Sequence, residues 1–169
     1  DRHTGVGADG WYLVRPPDEE ADASVRLFNS DGSQAEVSGN GTRCAAAFLI
    51  NHKHAERDVT IVTGAGLKTL RLINREDNRF QFEMNMGRAL IKDRDLRFVL
   101  PLQSGIVEAT LLDVGNPQCA VFVDEFPAGW RNLGAELERH PHFPNRTNVS
   151  FVKAVDSHTI DVRFYERGA

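Results

Sequence analysis

A glycine-rich polar segment runs directly into an apolar one at residues 38–50, which read SGNGTRCAAAFLI. The apolar part, residues 45–50, contains no glycine or proline and has apolar side chains all round, which predicts a short helix buried on most sides. We expect this helix to begin between Ser38 and Thr42. Its first backbone N–H groups would lack partners within the helix and carry partial positive charge, so this helix start suits an anion such as a carboxylate or a phosphate.

Several residues around this helix start have separate predicted roles. Gly39 and Gly41 lack the Cβ atoms that would keep a ligand away from the backbone. Cys44 lies inside the helix, where a cysteine usually packs as a small core residue. The alternative interpretation is a plain capped loop without a ligand, in which Ser38 or Asn40 is the cap.

The composition is that of an ordinary globular domain: 41% of the 169 residues are hydrophobic, 26% are charged, and the formal net charge is -4. No apolar run approaches the length of a membrane span, so no membrane partner is expected. The 20 basic and 24 acidic residues are interspersed, without a basic stripe that would track nucleic acid. Two cysteines make no disulfide framework and no signal peptide opens the chain, so the cytoplasm is the expected location.

Neither pair of neighbouring histidines predicts a metal site. His52 and His54 stand two residues apart near the end of the predicted helix, where such side chains point in different directions. His140 and His142 lie among prolines, in a segment too constrained to favour metal binding. No metal is therefore expected.

The first half of the chain alternates short strands with this one helix. Aromatic, β-branched and alternating apolar residues predict strands at 11–14, 25–28, 58–63, 67–73 and 80–84. We expect the last three to be antiparallel, with the helix as the partner for their apolar faces. This predicts an α+β fold with a curled, mostly antiparallel sheet around a central helix, in a first domain at residues 1–85.

Residues 86–169 are predicted to begin a second domain of the same kind. Strands are expected at 106–114, 120–123 and 159–165, with a modest amphipathic helix at 132–139. Residues 162–166 also match residues 25–29 position by position, as β-branched, basic, apolar, aromatic and polar. The match indicates two copies of one unit that face each other across a cleft, of which the second is incomplete.

Further motifs accompany the helix segment. They are FNSDGS at 28–33, five residues ahead of GNGTRC at 39–44, then GNPQ at 115–118 and ERG at 166–168. Together they resemble the diaminopimelate epimerase family, a group of cofactor-independent amino-acid epimerases, and the loop at residues 1–9 is similar to a loop of that family. Two positions depart from the pattern: Gln118 stands where the family has a histidine, and the other is residue 38. The family has a catalytic cysteine immediately before Gly-Asn-Gly, where this chain has Ser38.

The resemblance implies a reaction and a set of site residues. The reaction converts LL-diaminopimelate into meso-diaminopimelate by proton transfer at both faces of the α-carbon, without metal or organic cofactor. Ser38 stands at the position of the catalytic cysteine, and the implied substrate contacts are Asn29, Gly39, Asn40, Asn116, Asn148, Glu166 and Arg167. The family's second catalytic cysteine and its N-terminal strand fall outside residues 1–169, so the resemblance implies a partial chain. It is compatible with a homodimer.

Ser38 leaves several explanations open, because a serine hydroxyl has a pKa several units above the roughly 8.5 of free cysteine. The protein is an engineered Cys-to-Ser variant, a homologue that has lost two-base chemistry, or a one-base dehydratase or isomerase of the same superfamily. A catalytically silent protein that binds an amino acid is the alternative from a different functional class. Asn116 also fits an ordinary Asn-Pro turn, and Arg167 fits a surface arginine beside Glu166.

Overall fold

The computed structural model describes residues 7–8, 10–16, 21–29 and 31–167. The predictions on residues 1–6, 9 and 168, which carry most of the first loop and the glycine of the ERG motif, lie outside the described residues. By its contacts the chain divides into two compact units, residues 1–87 and 88–167. The sequence predicted an epimerase-like domain at 1–85 and the beginning of a second one at 86–169. The assignment of these two segments as epimerase domains remains a prediction.

Among its described residues the first unit consists of a six-stranded sheet and one helix. The elements are β1 (Gly10–Arg15), β2 (Ala23–Asn29), β3 (Gln34–Ala35), α1 (Gly39–Asn51), β4 (Asp58–Thr63), β5 (Gly66–Glu76) and β6 (Arg79–Asn85). The strands pair in the order β1-β2-β4-β5-β6, and the short β3 pairs with β2. All pairs are antiparallel except β2 with β4, which run parallel and are connected through α1.

The core of the first unit lies between α1 and the sheet. Ala45, Ala46 and Leu49 of the helix are buried in one cluster with strand residues that include Val59 and Ile61. Removal of this apolar surface from water is the main term that stabilises the unit. The helix begins inside the predicted interval and the sheet curls against it, which confirms the predicted α+β arrangement.

One side of α1 is not covered, and here two predictions were wrong. Phe48 is 48% exposed, and Cys44 is exposed instead of packing in the core. The helix has apolar side chains all round, but a single sheet covers only one face, so the side chains of the opposite face stay at the surface. Together with Leu13 and Val14 of β1, these two residues line an apolar pocket of about 690 Å³.

Among its described residues the second unit has a five-stranded sheet and one α-helix. After a 3-10 turn at Asp93–Asp95 come β7 (Phe98–Leu102), β8 (Gly105–Asp113), β9 (Pro117–Phe122), α2 (Trp130–Glu138), β10 (Asn148–Ala154) and β11 (Ile160–Tyr165). The strand order is β11-β10-β9-β8-β7. β9 and β10 run parallel and are connected through α2, whereas the other pairs are antiparallel.

The core of the second unit repeats the arrangement of a helix against a sheet. Leu137 of α2 is buried with Phe151 and Val149 of β10. Gly134 lets the helix approach the sheet closely, since a Cβ atom there would lie 2.8 Å from the Tyr165 ring. Each unit therefore packs one helix on one sheet, as predicted.

The strand predictions for the second unit are right in outline and differ in detail. β7 was not predicted. It contains Pro101, and proline is tolerated at the edge of a sheet, where β7 lies among the described strands. β9 begins at Pro117, before the predicted start at residue 120, so Pro117 and Gln118 belong to the strand. Proline is also acceptable as the first residue of a strand.

Candidate active site

Ser38 is the N-cap of α1, with the extended backbone (φ -130°, ψ 122°) that a capping residue adopts. Its Oγ accepts a hydrogen bond from the backbone N–H of Gly41 at 3.3 Å. The residue is half-buried, and the first turn of the helix contains no acidic side chain. The positive end of the helix is therefore directed at the side chain of residue 38, where it favours negative charge.

The backbone carbonyl of Ser38 is held by three donors. The N–H and the hydroxyl of Thr42, which is fully buried, donate to it at 2.9 and 2.8 Å. The phenol Oη of Tyr12, on β1, donates to the same oxygen at 3.2 Å. Residue 38 is thus fixed both by its own helix and by the neighbouring strand.

The two glycines of the helix start have different surroundings, which corrects one prediction. A Cβ atom on Gly39 would meet only the Met86 Sδ at 3.9 Å, so this backbone is open to a ligand. A Cβ atom on Gly41 would instead overlap the Tyr12 ring. Gly41 therefore makes room for a tyrosine and not for a ligand.

The other two predicted site residues of the first unit make local hydrogen bonds. Asn40, at the exposed first turn of α1, accepts a hydrogen bond from the Arg43 guanidinium through its Oδ1. Asn29 ends β2, and its Nδ2 donates to Ser33 Oγ at 3.0 Å. The backbone of the same two residues is joined at 2.8 Å, from Asn29 N to Ser33 O. Asn29 is therefore oriented by the turn between β2 and β3.

The second unit brings two predicted site residues, Asn148 and Arg167, into contact and connects a third, Asn116, to them through Gln118. Asn148 begins β10 and is the register partner of Gln118 on the parallel strand β9. The Oδ1 of Asn148 accepts the backbone N–H of Arg167 at 3.0 Å, and Gln118 Nε2 donates to the Oδ1 of Asn116 at 2.7 Å. We call the group formed by Asn116, Asn148 and Arg167 the asparagine corner.

Arg167 and Glu166 follow directly after β11. The Nη1 of Arg167 donates to the backbone carbonyl of Asn145 at 3.1 Å, so the guanidinium lies against the loop that leads into β10. The Arg167 side chain is half-buried, while Glu166 is exposed. The strand end thus contributes Arg167 to the asparagine corner and places Glu166 beside it.

A buried ion pair that sequence patterns did not predict holds this loop. Glu138 is only 2% exposed, and its carboxylate oxygens lie 3.2 Å from Arg139 Nε and 3.1 Å from Arg146 Nε. Its backbone carbonyl accepts the N–H of Thr147 at 3.2 Å. The helical period of the sequence could have indicated that Glu138 is buried. Glu138 stands four residues after the buried Gly134 and so lies on the same face of α2.

A family model described as diaminopimelate epimerase matches residues 1–92 and 110–169. The chain belongs to the diaminopimelate epimerase family. Among curated proteins it is similar to the diaminopimelate epimerases of Agathobacter rectalis (35% identity), Methanococcus maripaludis (36%) and Teredinibacter turnerae (38%). The alignments cover 100, 100 and 99% of this chain but 66, 65 and 64% of those relatives. This member of the diaminopimelate epimerase family therefore spans less than two thirds of their length.

Solved structures of low sequence identity share the fold of this diaminopimelate epimerase family member. A probable proline racemase from Agrobacterium radiobacter, with bound carbonate, superimposes with a TM-score of 0.71 at 20% identity. A hydroxyproline epimerase from Agrobacterium vitis, with bound trans-4-hydroxy-L-proline, gives 0.68 at 21% identity. Each covers 90% of this chain, and this chain covers 52 and 51% of theirs. These likenesses place the fold with the racemases and epimerases.

Tyr12 is a member of the candidate site that sequence reasoning missed. Burial raises the pKa of its phenol above the ordinary 10.0, and hydrogen bonds with Thr42 and Ser38 oppose that rise. The phenol therefore stays protonated and remains a donor at neutral pH. No sequence signal connects Tyr12 with a residue 26 positions further on, because strand and helix meet only in the folded chain.

The part of the chain that the structure describes contains neither a cluster suited to a metal ion nor a membrane-spanning helix. No group of three histidine, cysteine, aspartate or glutamate side chains there is arranged to hold a metal ion. None of the helices found there has the length and apolar character needed to cross a membrane. The roles of the individual site residues remain predictions.

Proposed function

We propose that this chain is part of an enzyme that epimerises LL-diaminopimelate to meso-diaminopimelate, in lysine and peptidoglycan biosynthesis. The family match over residues 1–92 and 110–169 carries the proposal, and the geometry of residue 38 supports it. The side chain there stands at the positive end of α1, within hydrogen-bond distance of the Gly41 N–H. Since the chain spans about 65% of its relatives, the proposal concerns the full-length gene product.

Proton transfer at one face of the substrate α-carbon is assigned to position 38. The α-proton of an amino acid is very weakly acidic, so the reaction needs an activated base and a dry site that stabilises the carbanion. A helix N-terminus lowers the pKa of a thiol placed there. The hydroxyl of Ser38 stays protonated at neutral pH, so it can donate a proton but is a poor base.

Substrate binding is assigned to polar groups of both units. The open backbone at Gly39 and Asn40 offers N–H groups to a carboxylate. The guanidinium of Arg167 can bind a carboxylate through two parallel hydrogen bonds. The remaining proposed contacts to the amine and carboxylate groups of diaminopimelate are Asn29, Asn116, Asn148 and Glu166. We propose a cytoplasmic enzyme without metal or organic cofactor, and a homodimer is compatible with this proposal.

Ser38 supports a second candidate function. With a hydroxyl in place of the thiol, the protein would retain one acid–base group, as a dehydratase or isomerase of the same superfamily, or would bind an amino acid without turnover. This candidate accounts for Ser38 without assuming a substitution. The motifs that surround Ser38 favour the epimerase.

Incubation with LL- and meso-diaminopimelate in deuterated water tests both candidates. We expect the full-length Ser38→Cys variant to exchange the α-proton with inversion, at a rate at least about 100-fold above the Ser38 protein, because a thiolate at a helix N-terminus is the stronger base. Cys44→Ala is the matched control, since Cys44 is exposed on the next turns of α1. It should leave the rate unchanged.

The outcomes separate the candidates. Exchange or elimination without inversion, in both the Ser38 protein and the Ser38→Cys variant, would favour the one-base enzyme. A folded Ser38→Cys protein that neither exchanges nor inverts either stereoisomer would contradict the epimerase proposal.

A further inference from the structure

We infer that Tyr12 is a positioning residue for the group at position 38, which it holds through the Ser38 carbonyl and the bare Cα of Gly41. The importance of position 38 for proton transfer rests on the proposed function. The positioning itself is a property of the chain and can be measured without substrate.

The hydrogen bond to Ser38 is the first observation. Of the three donors that meet the Ser38 carbonyl, two come from Thr42 and stay with α1 when the helix moves. The third comes from Tyr12 on β1, at 3.2 Å. This third bond therefore ties the N-cap of the helix to the sheet.

The packing of the ring is the second and independent observation. The Tyr12 ring lies so close to Gly41 that a Cβ atom there would overlap it. The N–H of Gly41 is also the group that donates to the side chain of residue 38, at 3.3 Å. The ring thus restricts the peptide that carries the hydrogen-bond donor for position 38.

A purely structural role for Tyr12 makes different predictions. Tyr12 also packs against the buried core cluster of the first unit. If packing were its whole role, loss of the hydroxyl would lower stability at most and would leave the chemistry at position 38 unchanged. A positioning role requires that the acidity of a group at position 38 depends on Tyr12.

The experiment uses the full-length Ser38→Cys protein and iodoacetamide as the probe. The pH profile of alkylation is resolved by mass spectrometry at each cysteine, so that exposed Cys44 and buried Cys119 report separately from the introduced thiol. Adding Tyr12→Phe removes only the hydroxyl. We expect the midpoint of the profile at position 38 to rise by about 0.5, and alkylation there at neutral pH to fall about threefold, because the Gly41 N–H is less well aimed at the thiolate.

A second pair of variants tests the ring contact without any thiol. Gly41→Ala should lower the midpoint of thermal unfolding in the Tyr12 protein, since the new Cβ collides with the ring. In a Tyr12→Leu background the same change should be neutral or stabilising. Leucine lacks the ring atoms that collide, and alanine is the better helix former.

Two results would overturn the inference. One is a pH profile of alkylation at position 38 whose midpoint does not change with Tyr12→Phe, although the unfolding temperature does. The other is an equal effect of Gly41→Ala in the unchanged and the Tyr12→Leu backgrounds, a comparison that holds even if Tyr12→Phe folds poorly. Because neither measurement uses diaminopimelate, failure of this inference and failure of the epimerase proposal are distinguishable.

Discussion

Two pairs of consecutive strands with similar sequence have different positions in their sheets. β1–β2 and β10–β11 are both antiparallel pairs, and in each the second strand carries the pattern β-branched, basic, apolar, aromatic, at residues 25–28 and 162–165. β2 lies inside its sheet, between β1 and β4. β11 is the last strand in the described part of its sheet.

Burial follows this difference. Leu27, at the apolar position of β2, is half-buried, whereas its counterpart Phe164 on β11 is 64% exposed. Val25 is 6% exposed and belongs to the core, whereas Val162 is half-buried. The sequence pattern thus predicts a strand, but the neighbours of the strand decide which side chains are buried.

The largest effect on stability is expected at Glu138 of α2, which anchors the loop that leads into β10. Glu138→Ala should lower the free energy of unfolding by about 3 kcal/mol, because it removes the buried carboxylate that pairs with Arg146. Urea unfolding followed by Trp130 fluorescence, with Trp11→Phe present in every protein compared, measures it. Arg139→Ala is the control, since this 70% exposed side chain should contribute less than about 1 kcal/mol. Equal effects of the two changes would show that the buried pair is not the anchor.

The two valines of the matched pattern sharpen the comparison. Val25→Ala should cost about 2 kcal/mol because it leaves a cavity in a closed core, and Val162→Ala should cost less than about 1 kcal/mol. The two tryptophans of the chain, Trp11 and Trp130, lie in different units. With the other tryptophan replaced by phenylalanine, each unit therefore has its own fluorescence signal. A cost for Val162→Ala as large as that for Val25→Ala would mean that another element covers β11 in solution.

The smallest effect on stability is expected at Cys119, and it appears only at high pH. Burial raises the pKa of the Cys119 thiol to about 12. Because this pKa is raised in the folded state, the stability that the thiol contributes is fully present below the unfolded pKa of about 9. It is lost as the pH rises from about 9 towards 12. The free energy of unfolding should therefore be about 1.4 kcal/mol lower at pH 10 than at pH 8 from this group.

Cys119→Ala removes that part of the pH dependence, and the comparison with the unchanged protein cancels the other titrating groups. An unaltered slope in Cys119→Ala would show that Cys119 is accessible to water.

Local patterns predicted the parts of the fold that depend on neighbours in sequence. The start of α1 followed from the Ser-Gly-Asn-Gly segment, and β4, β5 and β6 followed from alternation over a few residues. Ser38 was predicted in the same way as one of two possible caps, because a capping side chain and the N–H from which it accepts a hydrogen bond are three residues apart. The roles of the site residues rest on the family resemblance, since local patterns of this kind carry no information about a substrate.

The features that were missed depend on contacts between distant segments. The space beside Gly41 looked suited to a ligand until Tyr12, 29 residues earlier, proved to fill it. Cys44 looked like a core residue because a helix with apolar residues all round does not reveal which faces a sheet will cover. Glu138 finds its partner Arg146 across a loop, and only the folded loop brings the two charges together.

The two parallel strand pairs have a consequence for the order of folding. β2 with β4 and β9 with β10 each pair residues far apart in sequence, such as Ala23 with Ile61 and Gln118 with Asn148. Parallel strands cannot be joined by a tight turn, so each pair must wait until the intervening helix has brought the chain back along the sheet. The entropy of closing these loops is lost before the pairing is gained. We therefore expect the antiparallel pair β5–β6, which is joined by a short turn, to form early in refolding, and the two helix-spanned pairs to form last.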